Sequence, residues 1–481
     1  MRLIPTEVSR SGIRDPVQHL SDQCADTIVA LSTPPGRSAI GLIRMSGPEA
    51  LSIALRAFRP RGSSPLAERK VVYGYVIDPE TDRVLDDGLL VFLKAPRSYT
   101  GEDMVELTLH GSPVMLNSVL RILMALGARL ATRGEFTRRA LLNGKLDLLQ
   151  AEAVIDLIDA QSEAAAREAR SRLDSSPAPR MRELSDAIKG LLAAVEAHLD
   201  FDEDDELGQP DFTADVRDLL ARMEAIRRDS QEGVLLREGI RVCIAGKPNV
   251  GKSTLFNALL RKDRAIVTPI PGATRDPLED RIILKGHLFA LWDTAGIREP
   301  EGPIEDEGIK RTIEAIGRSD LVIAVLDATS GLDELDKEVL ATCESRRMVI
   351  AANKIDLVQG RSPLDVLAVN PVCPAAWVSA KTGQGIDTLE QILTHEAEHM
   401  TQRQDGDEEK VVLSGRCLHL LDAATAPLKR LLEMVQGEHS PKLDIVSYEL
   451  RTALAPLEEI TGEKVDEGVL DRLFERFCVG K

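Results

Sequence analysis

Apolar positions along the chain change their period twice, and each change marks a new kind of element. Between residues 27 and 93 they come in short β-rich runs, at 27–31, 40–44, 71–77 and 89–93, broken by Pro34-Pro35-Gly36, Ser46-Gly47-Pro48 and Asp86-Asp87-Gly88. This is the pattern of strands separated by turns. From residue 142 the spacing lengthens to three and four, through Leu142, Leu146, Leu149, Ala153, Leu157 and Ala160, then Leu184, Ile188, Leu191, Val195 and Leu199. Such spacing gives each helix one apolar stripe to bury. The acidic stretch 200–206 and Pro210 interrupt it, and helix is expected again from about 215 to 236. Beyond residue 240 the compact apolar runs 242–245, 288–292, 348–352 and 376–378 each lead into a short polar segment, as buried strands of a parallel sheet do. A helix over 386–400, a polar break at 402–410 and a last helical region reaching Cys478 complete the pattern.

These transitions predict a multidomain α/β and α+β chain. Residues 1–24 read as a poorly ordered extension, 25–140 as an α+β domain, and 141–236 with 403–481 as two parts of a discontinuous helical domain. An α/β domain with a mainly parallel sheet is inserted at 237–402. At 481 residues the chain exceeds what one core sustains. Neither helical block buries its stripe alone, so the two are expected to pack into one bundle.

The polar segments carry the chemistry. Gly246-Lys247-Pro248-Asn249-Val250-Gly251-Lys252-Ser253-Thr254 has the spacing of a phosphate-binding loop, in which backbone amides and a helix N-terminus cradle phosphate, Lys252 adds a point charge and Ser253 offers a hydroxyl to Mg²⁺. Asn353-Lys354-Ile355-Asp356 follows a strand, and Asp356 can accept both N–H donors of a guanine edge, where adenine presents an acceptor. Ser379-Ala380-Lys381 fits the remaining loop around the base. Asp293-Thr294-Ala295-Gly296 puts a carboxylate at a strand end for a water-held metal and an amide near a terminal phosphate. Thr274 is the natural switch threonine for Mg²⁺. In this order the segments read as a Ras-like, GTP-selective domain. Ile297 stands where many small GTPases have a water-orienting glutamine; the acidic segment 299–307 either supplies a substitute or is a solvated loop.

Composition narrows the setting. The formal charge of −18 argues against attachment to nucleic acid or anionic membrane through a global field. The 6 cysteines form no C-x-x-C pair and suggest reduced thiols. With no signal peptide and no run long enough to span a bilayer, a cytoplasmic protein without membrane attachment is expected. His395-Glu396-Ala397-Glu398-His399 matches the zinc-peptidase pattern H-E-x-x-H, yet it closes a helix that the nucleotide domain already needs, and a solvated helix end is the better account. Cys478 reads as a buried helical thiol or a nucleophile.

The order of elements, with Thr33-Pro34-Pro35-Gly36-Arg37, Tyr99-Thr100-Gly101-Glu102-Asp103, Gly134-Glu135-Phe136-Thr137, Asn143-Gly144-Lys145-Leu146-Asp147-Leu148 and the terminal Phe477-Cys478-Val479-Gly480-Lys481, resembles the MnmE (TrmE) family of tRNA modification GTPases. The resemblance implies a K⁺-stimulated GTP hydrolase that is a homodimer through its N-terminal folate-binding-type domain. With an FAD-dependent MnmG/GidA-type partner, in a heterotetramer or larger complex, it would modify C5 of the wobble uridine of certain tRNAs, taking a one-carbon unit from 5-formyltetrahydrofolate or a related tetrahydrofolate. It further implies a K⁺ site from Asn249, Thr268, Ile270 and Ala273, the last standing where the family usually has threonine. Glu305 becomes the catalytic, water-orienting residue, and Arg44, Glu106, Lys145 and Lys481 become folate contacts. Outside the resemblance those four read as surface ion pairs, and the nucleotide domain alone also suits a regulatory GTPase of ribosome assembly.

Overall fold

The computed structural model describes residues 26–62, 67–200, 211–262, 279–293, 313–344, 346–358, 373–401, 411–436, 441–464 and 466–481. These fall into two compact units, one drawn from Met1–Ile155, Leu173–Leu219 and Leu420–Lys481, the other from Asp156–Arg172 and Leu220–His419. The expected extension 1–24 lies outside the described residues.

The first unit opens with β1 (Ile28–Leu31), β2 (Ile40–Ser46), α1 (Ala50–Ala57), β3 (Phe58–Pro60), β4 (Val71–Ile77), β5 (Val84–Leu93), β6 (Met104–His110), α2 (Pro113–Ala125) and β7 (Arg129–Leu130). The strands form one 7-stranded sheet in the order β3-β4-β5-β6-β2-β1-β7, antiparallel except where β7 joins β1 in parallel. Ile43, Met45, Leu90 and Leu107 point to one face and are buried with Ile53, Val119 and Leu123 of the two helices. The alternate residues, Arg44 and Glu106 among them, occupy the other face. Sequence patterning catches β1, β2 and β4 and part of β5 but misses β6, whose Glu106 and Thr108 break the apolar run.

Next come α3 (Glu135–Leu142), α4 (Leu148–Asp159), α5 (Glu163–Asp174), α6 (Ala178–Asp200) and α7 (Thr213–Glu238). The period-four run from Leu142 to Ala160 is therefore not one helix, a correction to the expectation. The chain turns at Gly144, which has φ +65°. Asn143 donates to the Thr100 carbonyl at 2.7 Å, and Asp147 accepts the Gln150 amide at 2.8 Å to start α4. Leu142 and Leu146 keep their spacing because both pack against one cluster that includes Leu148, Leu470 and Phe474; tertiary burial set the period, not helix geometry.

The second unit holds β8 (Ile240–Ala245), α8 (Lys252–Lys262), β9 (Glu279–Leu284), β10 (His287–Asp293), β11 (Leu321–Asp327), α9 (Glu334–Cys343), β12 (Arg347–Asn353), β13 (Ala375–Trp377) and α10 (Ile386–Met400). Its sheet runs β13-β12-β11-β8-β10-β9, parallel but for the edge strand β9. Val242, Ile244, Leu291, Ile323 and Val349 are buried together with Leu255, Leu259, Leu389 and Leu393 from the helices.

The chain ends with α11 (Gly415–Val435), α12 (Leu443–Thr461) and α13 (Glu467–Phe474). The early and late helical blocks do pack: α12 lies along α6, tied by Lys189 to Glu463 at 2.7 Å and by Arg451 to Glu196. In the second unit Ser230 of α7 accepts the Leu413 amide at 3.0 Å. Helix stops at Phe474, so Cys478 is neither helical nor buried, and the reading of it as a buried helical thiol is corrected. Among the described residues no helix is long and apolar enough to cross a membrane.

Candidate functional site

The first constellation sits at the carboxyl end of the second unit's sheet. β8 lies between β11 and β10, so the loop after it opens where the strand order reverses, the usual ligand crevice of such sheets. The loop's shape follows from residues that tolerate it: Gly246 has φ +156°, and a Cβ there would fall 2.5 Å from the Val325 carbonyl oxygen. Asn249 and Gly251 have φ +63° and +98°. Val250 is buried beneath the loop, and Lys252 begins α8, aiming the helix N-terminus at the crevice. The Lys252 ammonium is held at 2.8 Å by the Gly246 carbonyl and at 3.0 Å by that of Lys247. Ser253 and Thr254 stand exposed in the first turn, and Asn249 is exposed at the loop's crest.

Asn353 joins the loops. It is buried, donates through Nδ2 to the Val250 carbonyl at 2.8 Å, and accepts the Ala380 amide through Oδ1 at 2.9 Å. The Ser379 hydroxyl donates to Asp356 at 2.6 Å, fixing an exposed carboxylate above the strand ends. Lys381 is exposed beside them. Lys354, with φ +69°, reaches Asp327 at 2.6 Å. Burial raises the Asp327 carboxyl, but the bonds from Lys354 and Thr329 outweigh it and hold the pKa below the ordinary value. Asp293 closes β10 in register with Ile244, level with the start of the phosphate loop. Thr268, Ile270, Ala273, Thr274, Thr294, Ala295, Gly296 and Glu305 lie outside the described residues. Motif reading missed Asp327 and a tie from Lys247 to Asp333 and Asp336, since neither belongs to a fixed spacing.

The second constellation, in the first unit, joins residues from opposite ends of the chain. Arg44 and Glu106 face each other across β2 and β6; Nε and Nη2 of Arg44 both take Glu106 Oε1, at 2.9 and 2.8 Å, leaving Oε2 as an acceptor. The guanidinium lies 5.7 Å from the Tyr99 ring centre and 5.8 Å from that of Phe136, a cation–π support from two rings. The chain terminus closes the place. Val479 bridges Arg133, and the Gly480 carbonyl accepts from the Ser32 hydroxyl at 2.9 Å and from Arg44 at 3.4 Å. Gly480 has φ +94°, and a Cβ would fall 2.5 Å from the Leu31 carbonyl oxygen. Burial, and then the Arg44 charge, push the Lys481 ammonium below the ordinary lysine pKa.

Of the four residues in the folate set, Arg44, Glu106 and Lys481 are thus brought together. Lys145 is held one loop away, its stem 3.2 Å from where a Gly101 Cβ would lie and its Nζ donating to the Pro96 carbonyl at 3.1 Å. Beneath, Arg139 is 1% exposed and binds Asp26, Glu102 and Glu135, locking the loop that carries Tyr99. Sequence reasoning missed the Gly480 anchor and Ser32, although the segments with Tyr99 and Phe136 had been singled out.

At the exposed end of α10, His395 and His399 set their Nε2 atoms 3.0 Å apart. The intervening Glu396 lies 3.4 Å from Arg347, and among the described residues no third ligand joins the two histidines. Asp86, Asp87 and His110 do cluster, but Asp86 is occupied by the His110 ring at 2.7 Å and the His110 amide at 3.0 Å.

Comparison with known proteins decides the family. The model described as "MnmE helical domain" matches residues 148–478, and "GTP-binding protein TrmE N-terminus" matches 27–145. A "tRNA modification GTPase MnmE" of Geobacter sulfurreducens is 40% identical over 95% of this chain and 99% of its own length. One from Synechococcus sp. is 40% identical over 96% and 100%. This chain belongs to the MnmE family. Among solved structures, the G domain of the T. maritima FeoB iron transporter is 29% identical over 33% of this chain and 98% of its own, with a TM-score of 0.25. Membership in the MnmE family makes the chain a GTP-hydrolysing enzyme and accounts for a nucleotide domain set between helical blocks.

Proposed function

We propose that this chain is a K⁺-stimulated GTPase which, with an FAD-dependent MnmG-type partner, installs a carboxymethylaminomethyl-type group on C5 of the wobble uridine of certain tRNAs, using a one-carbon unit from 5-formyltetrahydrofolate or a related tetrahydrofolate. What carries the reading is that a guanine-nucleotide constellation and a separate Arg44–Glu106–Lys481 constellation occur in one chain that aligns with MnmE relatives over 95% of its length. The domain boundaries given by the sequence go with it.

At the nucleotide end, the loop amides and Lys252 hold the phosphates, Asp356 selects guanine from the segment that Asn353 ties to the phosphate loop, and Ser379, Ala380 and Lys381 close over the base. Ser253 and Thr274 offer hydroxyl oxygens of the hard type that suits Mg²⁺. K⁺ is given to Asn249, whose exposed side chain fits an oxygen-liganded cation, with Thr268, Ile270 and Ala273. When bound there it offsets charge developing between the phosphates. Glu305 orients the attacking water.

At the folate end, Glu106 Oε2 is an acceptor for the paired N–H donors of a pterin edge, while Lys145 and Lys481 suit its anionic tail. The open sheet face beside it exposes Ile40 (57%), Val71 (62%) and Tyr73 (39%), which supports a homodimer through this domain. The absence of a membrane-crossing helix among the described residues is consistent with a cytoplasmic enzyme.

The test is GTP hydrolysis in K⁺ against Na⁺ at equal ionic strength, for the chain and for Ala273→Thr. K⁺ stimulation is expected in both. Equal rates in the two salts for both proteins would remove the cation from the mechanism.

A further inference from the structure

The phosphate loop is gripped from outside the nucleotide crevice by charges that no motif contains. Lys247 Nζ lies 2.6 Å from Asp333 Oδ2 and 2.7 Å from Asp336 Oδ2. The Asp336 side chain is 3% exposed and that of Lys247 15%, so the contact is shielded rather than a solvent-facing pair. Neither carboxylate is loose. They form the reciprocal capping box of α9, in which Asp333 Oδ1 accepts the Asp336 amide at 2.9 Å and Asp336 Oδ2 accepts the Asp333 amide at 3.2 Å. The lysine is thus tied at its tip to a helix N-terminus.

Its main chain belongs to the site. The Lys247 carbonyl is one of the two that hold the Lys252 ammonium, and the other belongs to Gly246, where a side chain would strike the Val325 carbonyl of β11. Drawing the Lys247 side chain outward also keeps a second ammonium out of the crevice, leaving the loop amides to face the phosphates. A loop of this kind binds anions well only when its amides are already in place, because ordering them on binding subtracts from affinity.

We infer that Lys247, Asp333 and Asp336 form a positioning clasp that sets the arc of the phosphate loop, so that nucleotide affinity, more than the chemical step, depends on it. This rests on reading residues 246–253 as the GTP phosphate site. Opening the clasp leaves Asp336 buried without its cation, and Asp336 Oδ1 already has no hydrogen-bond partner, so α9 and the loop lose their common anchor together.

The experiment measures mant-GDP affinity and steady-state GTP hydrolysis on the full chain with K⁺ and Mg²⁺. Lys247→Ala is expected to weaken mant-GDP binding and raise the GTP KM by about tenfold, with kcat changed by less than about threefold. Lys247→Arg, whose fork spans two carboxylates, restores binding. Lys247→Ala combined with Asp336→Asn matches the single variant in affinity, since the lysine's ties to Asp333 and Asp336 are already gone in the single variant; it also lacks the stranded Asp336 charge and serves if the single variant does not fold. Wild-type affinity in Lys247→Ala, no rescue by arginine, or kcat falling in step with kcat/KM overturns the inference. Lys252→Ala is the control: if it binds mant-GDP like the wild type, the phosphate-loop reading itself fails.

Discussion

The nucleotide constellation and the Arg44 constellation both fix charged groups in place, by opposite means. The first is built from loops that each follow their own strand, so its parts arrive together once one parallel sheet forms. The second needs residues 44 and 480 to meet, with Ser32 bonded to a carbonyl 448 positions away. A local site rests on backbone geometry and a few capping bonds, whereas a closed-over site rests on the packing of α13 and the segment after it, where Phe474 and Phe477 are buried in one cluster with Leu148 and Leu470. Damage should therefore be confined in the first and propagate in the second.

The sharpest way to break that comparison is Asp356→Ala. It removes the carboxylate to which we assign the choice of guanine over adenine, and the GTP KM should rise by about a hundredfold with folate binding unchanged; competition by ATP against GTP checks it. Next comes Arg44→Ala, which leaves Glu106 half-buried without its cation. Folate affinity, measured by calorimetry, should fall by about thirtyfold or more, while GTP hydrolysis stays at its starting rate. Gly480→Ala alters no side chain of the folate set. With φ +94° and a Leu31 carbonyl in the way, it should lower the stability of the first unit by about 2 kcal/mol and weaken folate binding, while denaturation of the nucleotide unit, followed by loss of mant-GDP binding, is unmoved.

The smallest effect is a pH profile. The Lys481 pKa is depressed, by burial first and Arg44 second, so above the depressed value the folded chain carries fewer protons than the unfolded one. Stability then rises with pH between that value and the ordinary lysine pKa of 10.5, while attraction for an anionic ligand fades over the same range. Lys481→Met should flatten the folate-affinity profile there. An unchanged profile would place Lys481 outside the site.

Legibility in the sequence followed this division. That Lys252, Asn353, Asp356 and Ser379 meet at the strand ends was readable because each stands in a short segment directly after a buried strand. β6 was not readable, because a strand that carries Glu106 on its open face loses the apolar run that marks strands. The turn at Gly144 hid inside a helical period because Leu142 and Leu146 are spaced by a common core. The Lys247 contact was invisible because lysine at that position signals nothing until α9 presents two carboxylates to it.

By itself the sequence determined the strand-and-loop order of the nucleotide domain, its preference for guanine and the family to which the chain belongs, since these rest on short-range patterns that survive without any knowledge of packing. Only the tertiary structure decided that Cys478 is exposed, that Gly480 docks on β1 and β2, and that Arg44 is close to two aromatic rings and the Gly480 carbonyl. Those facts depend on which distant segments exclude water from one another, and no local spacing records that.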